Sequence, residues 1–260
     1  MNILDKIIEV KKQEVAKNRK TVPEEKLKVH PWYGRKCHSL SSALLEKGAN
    51  GVIAEFKQKS PSKGDINRKA KVEEVTRNYA MAGASGLSVL TDHDFFGGTL
   101  ENLAKARETN PDIPILRKDF MIDSYQVTEA KAYGADIILL IAACLEKDKA
   151  RELAMTAKSL GMEVLMEIHD ENELEIINEY VDMVGVNNRN LKTFKVDVET
   201  SVHLAKLIPD RFVKISESGL SEVNTIHYLR EHGFQGFLIG ETFMKAPNPG
   251  EACKNFIAGL

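Results

Sequence analysis

The sequence predicts an α/β protein, a (β/α)8 barrel carrying an N-terminal helical extension. Three observations lead there. From Gly51 onward, short apolar runs alternate with longer amphipathic stretches, about eight strand–helix units over ~210 residues. The strand candidates are near-continuous apolar runs, the pattern of parallel strands buried on both faces. Charged and small polar residues gather at the C-terminal ends of those runs, where a barrel of this kind keeps its chemistry. An open doubly wound sheet is the rival architecture. It is disfavoured because the first strand candidate runs into Lys57-Gln58-Lys59-Ser60-Pro61 with no GxGxxG turn, and no GxxxxGK[ST] loop occurs in the chain.

In chain order, Ile3 to Lys17 sets Ile3, Leu4, Ile7, Ile8, Val10 and Val15 at roughly helical spacing among Lys and Glu, an amphipathic helix. Pro23, Pro31 and Trp32 mark a looser region, and a second helical stretch, Ser39 to Lys47, stops at Gly48. Residues 1–48 thus read as an extension packed over or under the main body, with the barrel at 51–260 and the whole forming one domain. The strand candidates are Val52–Lys57, Leu87–Thr91, Ile115–Lys118, Asp136–Ile141, Glu163–Ile168, Met183–Asn187, Phe212–Ser216 and Gly236–Ile239. Between them lie helix candidates Val72–Ala82, Thr99–Glu108, Ser124–Tyr133, Lys147–Leu160, Asn172–Tyr180, Val198–Leu207 and Glu222–Glu231. A last helix begins near Gly250. Gly83, Gly134, Gly161 and Gly233 close helix candidates at the usual C-terminal cap position.

Bulk properties narrow the function. A chain of 260 residues holds one barrel or two small domains and buries a core without disulfides. At 43% hydrophobic and 28% charged it is ordinary for a globular protein, and a net charge of −2 draws it to neither nucleic acid nor an anionic membrane. Cys37, Cys144 and Cys253 are far apart and odd in number, with no CxxC or zinc spacing, as expected of reduced thiols in the cytoplasm. The first 20 residues are charged throughout and do not read as a secretory signal. No stretch approaches the ~20 apolar residues of a membrane span. A cytoplasmic location is the expectation. The oligomeric state stays open, a monomer included.

The most informative stretch is Gly51 to Gly64, GVIAEFKQKSPSKG. Glu55 and Lys57 sit two apart in an apolar run, so a strand points both to one face. Buried charges are costly unless paired or used. The run opens into Ser60-Pro61-Ser62-Lys63-Gly64, a polar loop with turn residues at the lip of an α/β site, whose composition would let it close over a substrate. The other strand ends supply Thr91-Asp92-His93-Asp94, Arg117-Lys118-Asp119-Phe120, Glu167-Ile168-His169, Asn187-Asn188-Arg189-Asn190, Ser216-Glu217-Ser218-Gly219 and Gly240-Glu241. Ile141-Ala142-Ala143 is apolar, a candidate pocket wall.

Loops after the last two strands commonly bind phosphate in this fold. Ser218-Gly219 and Gly240-Glu241 offer small residues that let backbone approach an anion, or else they are plain strand-to-helix turns. Lys57 and Lys118 should point into the mouth, with Glu55 and Glu167 on opposite sides of it. Carboxylates and ammonium groups crowded there suit acid–base work, a structural ion-pair network being the bland alternative. Arg189 and Glu217 read as supporting partners rather than reactants. His93 and His169 lie near the mouth as positional or solvated groups, and His30, His38, His203, His227 and His232 read as surface.

Seven segments in order, IAEFKQKSPSKG, LTDHDFFGG, ILRKDF, LMEIHDENEL, VGVNNRNL, SESGL and LIGETFM, resemble the indole-3-glycerol phosphate synthase family, as does ILDKIIEVKKQEV at the start. The resemblance spans nearly the whole chain, and its E-x-K-x-x-SPS element is highly specific. It implies a barrel with a helical extension and a lyase of tryptophan biosynthesis. The implied substrate is 1-(2-carboxyphenylamino)-1-deoxyribulose 5-phosphate, closed to an indole with loss of CO2 and water and without metal or organic cofactor. By motif, Lys118 is implied as general acid, Lys57 as holder of the anthranilate carboxylate, Glu167 as base with Glu55 in support, and Asn187 as orienter of the substrate hydroxyls. Ser60, Ser218, Gly219 and Gly240, with Arg189, are implied on the phosphate side, and Phe120 as wall for the anthranilate ring. His93 and Glu241 are the less typical positions. A Schiff-base aldolase using Lys57 or Lys118 and a silent phosphosugar-binding barrel are the alternatives.

Overall fold

Alternate residues of each barrel strand enter two different cores. In the computed structural model, which describes residues 3–191 and 193–260, eight parallel strands close on themselves. They are β1 (Val52–Phe56), β2 (Gly86–Leu90), β3 (Ile115–Lys118), β4 (Ile137–Ile141), β5 (Glu163–Ile168), β6 (Met183–Asn187), β7 (Val213–Glu217) and β8 (Gly236–Ile239). Closure is made by β1, which pairs β2 on one side and β8 on the other. Val52, Ala54, Phe56, Ile138, Leu140, Val164 and Met166 face outward into a core shared with the helices. Ile53, Leu116, Leu139, Leu165, Met183, Ile215 and Leu238 fill the barrel itself. Burial on both faces explains why these strands read as continuous apolar runs.

The extension comprises α1 (Ile3–Thr21), α2 (Glu24–Lys28) and α3 (Leu40–Leu45). Around the barrel run α4 (Val72–Met81), α5 (Leu100–Thr109), α6 (Ser124–Ala132), α7 (Lys147–Ser159), α8 (Glu199–Ala205) and α9 (Val223–Glu231). The chain ends in α10 (Glu241–Met244) and α11 (Pro249–Ala258). Local chemistry sets several starts. Thr99 caps α5 by accepting from Asn102 N, and Asp123 with Gln126 forms a capping box on α6. Gly83, Gly134, Gly161 and Gly233 all take positive φ, the conformation that ends a helix.

Boundaries expected from sequence fall within a residue or two of these, except that α1 runs to Thr21 rather than Lys17 and that one expected helix is missing. Asn172–Tyr180 is not an α-helix. A 3-10 turn spans Glu171–Ile176 and irregular chain follows. Asn178 gives its amide to Ile176 O and accepts from Tyr180 N, so its side chain offers the backbone partners a helix would have supplied. Four small elements were also not anticipated: α2, α10, a 3-10 turn at Ala142–Cys144 and an antiparallel hairpin pairing Lys59–Ser60 with Gly64–Asp65.

The extension covers both ends of the barrel rather than one. Leu40 and Leu44 of α3, both buried, plug the N-terminal floor. A Cβ at Gly86 or Gly236, the first residues of β2 and β8, would press on those leucine side chains. Near the opposite end, α1 lies against the loops of the mouth. Lys11 Nζ, fully buried, is 3.0 Å from Asp92 Oδ2 and 2.9 Å from Asp119 Oδ1. Asp119 in turn meets Arg117 at 3.0 Å, and Arg117 reaches Glu129 of α6 at 2.9 Å. Breaking one partner of such a buried network is strongly destabilising, because it strands a desolvated charge. Burial alone would raise the Asp119 carboxyl, but Lys11 and Arg117 hold it down at about 2.

Candidate active site

The strand ends converge as their positions predict. Glu55 and Lys57 share a face of the β1 end, with Lys57 Nζ donating to Glu55 Oε1 at 2.6 Å. Across the mouth, Lys118 Nζ at the end of β3 donates to Glu167 Oε2 of β5 at 2.8 Å and forms a second short ion pair with Glu217 of β7. Asn187, closing β6, donates its amide to Glu167 Oε1 at 3.0 Å. One ammonium is therefore shared by two buried carboxylates.

That sharing splits the carboxylates. Burial raises both, but Lys118 and His169 pull Glu167 well below its ordinary range. Glu217 keeps the effect of burial, opposed by Lys118 and reinforced by repulsion from Glu167, and is held up at about 7. Burial would lower Lys118, yet Glu167, Glu217 and Glu55 outweigh it and raise the ammonium above its normal value. The mouth thus holds a firmly protonated lysine, an anionic glutamate and a glutamate that titrates near neutrality. Pairs of carboxyl groups pushed apart in this way are what acid–base chemistry at neutral pH requires.

These groups line a cavity of ≈ 460 Å³. One side is apolar: Ile3, Leu4 and Ile7 of α1 face Phe96, Phe120, Leu139 and Ile141. Phe96 and Phe120 pack as a tilted pair with centroids 6.0 Å apart. The other side is polar and holds Ser60, Arg189, Ser218, Gly219, Gly240 and Glu241. Ser218, at φ 72°, adopts the left-handed region that side chains avoid, followed by Gly219 at φ 74°. Backbone held so off-preference clusters at ligand sites. Glu241 lies 3.8 Å from both Lys63 and Arg189, a carboxylate between two cations.

Every residue expected at the site lines this cavity: Glu55, Lys57, Ser60, Lys118, Phe120, Glu167, Asn187, Arg189, Ser218, Gly219 and Gly240. Four details refine the expectation. Glu217, expected as a supporting partner, binds Lys118 directly. Gly240 has a further reason to be small, since a Cβ there would press on Glu55 Oε1, while its φ of −122° needs no glycine. Gly185 does the same service for Glu217. Of the two histidines expected as positional or solvated, His169 is half-buried between Glu167 and Glu173, and His93 is exposed beside Asp94. Of the expected Ile141-Ala142-Ala143 wall only Ile141 faces the cavity. The apolar wall from α1 carried no sequence signal, because amphipathic spacing says that a face is buried and not against what. Among the described residues no group of three or more His, Cys, Asp or Glu is placed to hold a metal ion.

A closed eight-stranded parallel barrel with an acid–base cluster at the C-terminal ends of its strands defines a TIM-barrel enzyme. The solved structure of 3-hexulose-6-phosphate synthase from Salmonella typhimurium matches it with a TM-score of 0.65 at 12% identity, covering 81% of this chain and 98% of that one. The tryptophan synthase α subunit of Legionella pneumophila str. Paris matches at 0.61 and 12%, covering 85% and 95%. At such identities the fold is what is shared. Sequence is more specific. The family profile described as indole-3-glycerol phosphate synthase matches residues 4–256. An indole-3-glycerol phosphate synthase of Bacteroides thetaiotaomicron is 49% identical, covering 100% of this chain and 99% of that one. That of Acidovorax sp. (strain JS42) is 42% identical over 99% of each. The chain belongs to the indole-3-glycerol phosphate synthase family, carboxy-lyases of tryptophan biosynthesis.

Proposed function

We propose that the protein is a cytoplasmic indole-3-glycerol phosphate synthase that closes 1-(2-carboxyphenylamino)-1-deoxyribulose 5-phosphate to indole-3-glycerol phosphate, releasing CO2 and water. The observation that carries this reading, beside family membership, is the Lys118 ammonium shared between Glu167 and Glu217 in a cavity with one apolar and one polar side. The anthranilate ring lies against Phe120, Phe96 and the α1 residues. The phosphate lies against Ser60, Arg189, Ser218, Gly219 and Gly240, where it competes with Glu241 for Arg189.

In this reading Lys118 protonates the ribulose carbonyl oxygen as the aryl carbon attacks. A lysine held protonated fits an acid; a Schiff-base nucleophile needs a neutral amine, which these carboxylates oppose. Lys57 receives the anthranilate carboxylate, leaving Glu55 beneath it, and can return a proton later. The carboxylate departs as CO2, its bonding electrons passing into the ring system. Water is then lost as Glu167 removes a proton, with Asn187 orienting both Glu167 and the substrate hydroxyls. Glu217 shares Lys118 and modulates its proton.

The test is direct. Protein treated with EDTA is mixed with the carboxyphenylamino-deoxyribulose phosphate, and indole emission is followed. Rising emission is the expected result. Substrate that binds without emission would move the assignment to another phosphosugar reaction.

A further inference from the structure

The residue two beyond the proposed base is a histidine for which the ring closure has no use. His169 follows the end of β5 and its side chain is only 10% exposed. It does not line the cavity. Its backbone N donates to Glu173 Oε2 at 2.6 Å, and its ring Nδ1 lies 3.3 Å from the same oxygen. Ring Nε2 lies 3.3 Å from Glu167 Oε1, off the hydrogen-bonding angle and with no other partner although buried. The imidazole is thus gripped by one carboxylate from the 3-10 turn after β5 and aimed at the working carboxylate of β5.

We propose that His169, held by Glu173, is a positioning residue for Glu167: an imidazolium behind the carboxylate fixes its orientation and keeps it anionic until it takes the substrate's proton. This rests on Glu167 being the base. Burial opposes charge on the ring, but Glu167 and Glu173 reverse it and raise His169 to about 10. The neighbouring groups are few. Cys144, in the turn after β4, is pushed up to about 12 by burial and then by Glu167 and Glu173, so it stays a neutral thiol. Asn187 of β6 is neutral and binds the same Glu167 oxygen. Lys118 and Glu217 reach Glu167 from the cavity side. Asp170 and Glu171, on the same turn as Glu173, are exposed to solvent. His169 is therefore the one cation set on the far side of Glu167 among the described residues.

Two measurements test the proposal. In the intact enzyme with 15N-labelled histidine, the His169 ring should remain protonated beyond pH 8, and Glu173→Gln should lower its titration point. A ring already neutral at pH 7 would overturn the proposal without any assay. In kinetics, His169→Asn should move the acid limb of kcat/KM upward by roughly one pH unit, as loss of a neighbouring cation does, and change KM far less. Glu173→Gln leaves the ring a cation at the pH of that limb and should move it less than His169→Asn does. A merely structural histidine would scale the profile without moving it, which would sink the idea; His169→Gln serves if the asparagine variant does not fold. Glu167→Gln separates the two levels. Near-normal turnover there would remove the base and this inference with it. An inactive Glu167→Gln beside an unshifted His169→Asn profile would remove only the inference.

Discussion

Glu163 and Glu167 stand four residues apart on β5, on one face of the strand, at opposite ends of the barrel. Glu163 accepts from Ser39 Oγ and Ser41 Oγ, both at 2.6 Å, and from the backbone N–H of Leu40 and Ser41 at 2.8 and 3.0 Å. All its donors are neutral, and together they cap the start of α3. Glu167 is held by an ammonium, an imidazole and one amide. The same side chain serves as a structural cap where its donors cannot exchange protons, and as a candidate base where they can. The surroundings follow suit. The floor is closed by Leu40 and Leu44; the mouth keeps a hollow lined by Glu55, Lys57, Lys118, Glu167 and Glu217. Stability and chemistry sit at opposite ends of one strand, the general division of labour in this fold.

The contrast can be broken in four ways. Lys118→Ala should cut kcat by about 10²–10⁴ with KM little changed, the usual loss of an acid–base group. A rise in KM alone, measured by indole emission, would make the lysine a binding group instead. Leu44→Ala at the floor should cost about 2–5 kcal/mol in urea unfolding, a core-cavity cost, while leaving kcat near the parent value. Glu163→Gln should cost about 1–3 kcal/mol, since an amide cannot accept all four bonds and strands buried donors. A large loss of turnover in either floor variant would mean that the two ends are coupled.

The smallest effect is on pH dependence. The Glu217 carboxyl is held at about 7 in the fold against 4.5 for the free group, so the folded chain binds this proton more readily than the unfolded one. Its contribution is complete below about 4.5 and is lost as pH rises through 7. Glu217→Gln should flatten the fall in Tm between pH 5 and 8 while reducing activity. A Tm profile unchanged from the parent would show that Glu217 is already ionised in the fold.

What was readable from sequence is what depends on near neighbours. Alternation in Val52–Lys57 and the apolar runs before Lys118, Glu167 and Asn187 located the strands, because side-chain direction repeats every two residues. Strand ends then named the cavity residues, because closure of a parallel barrel brings all those ends to one rim. The failure at Asn172–Tyr180 was local as well, where an Asn side chain outcompeted a weak helix.

The remainder was decided by tertiary structure. Lys118 and Glu217 are 99 residues apart, and nothing in the period of either strand says that they share a proton-bearing contact. Lys11 reaches Asp92 and Asp119 only because α1 crosses the mouth, and Glu163 becomes a cap only because α3 plugs the floor. Gly240 and Gly185 leave the space that the Glu55 and Glu217 side chains occupy, a reason no local pattern shows. The sequence by itself determined which residues would meet at the mouth. How they share charge, and so which of them can act as acid or base, depends on desolvation and on partners brought in from distant strands. Those terms exist only once the barrel has closed.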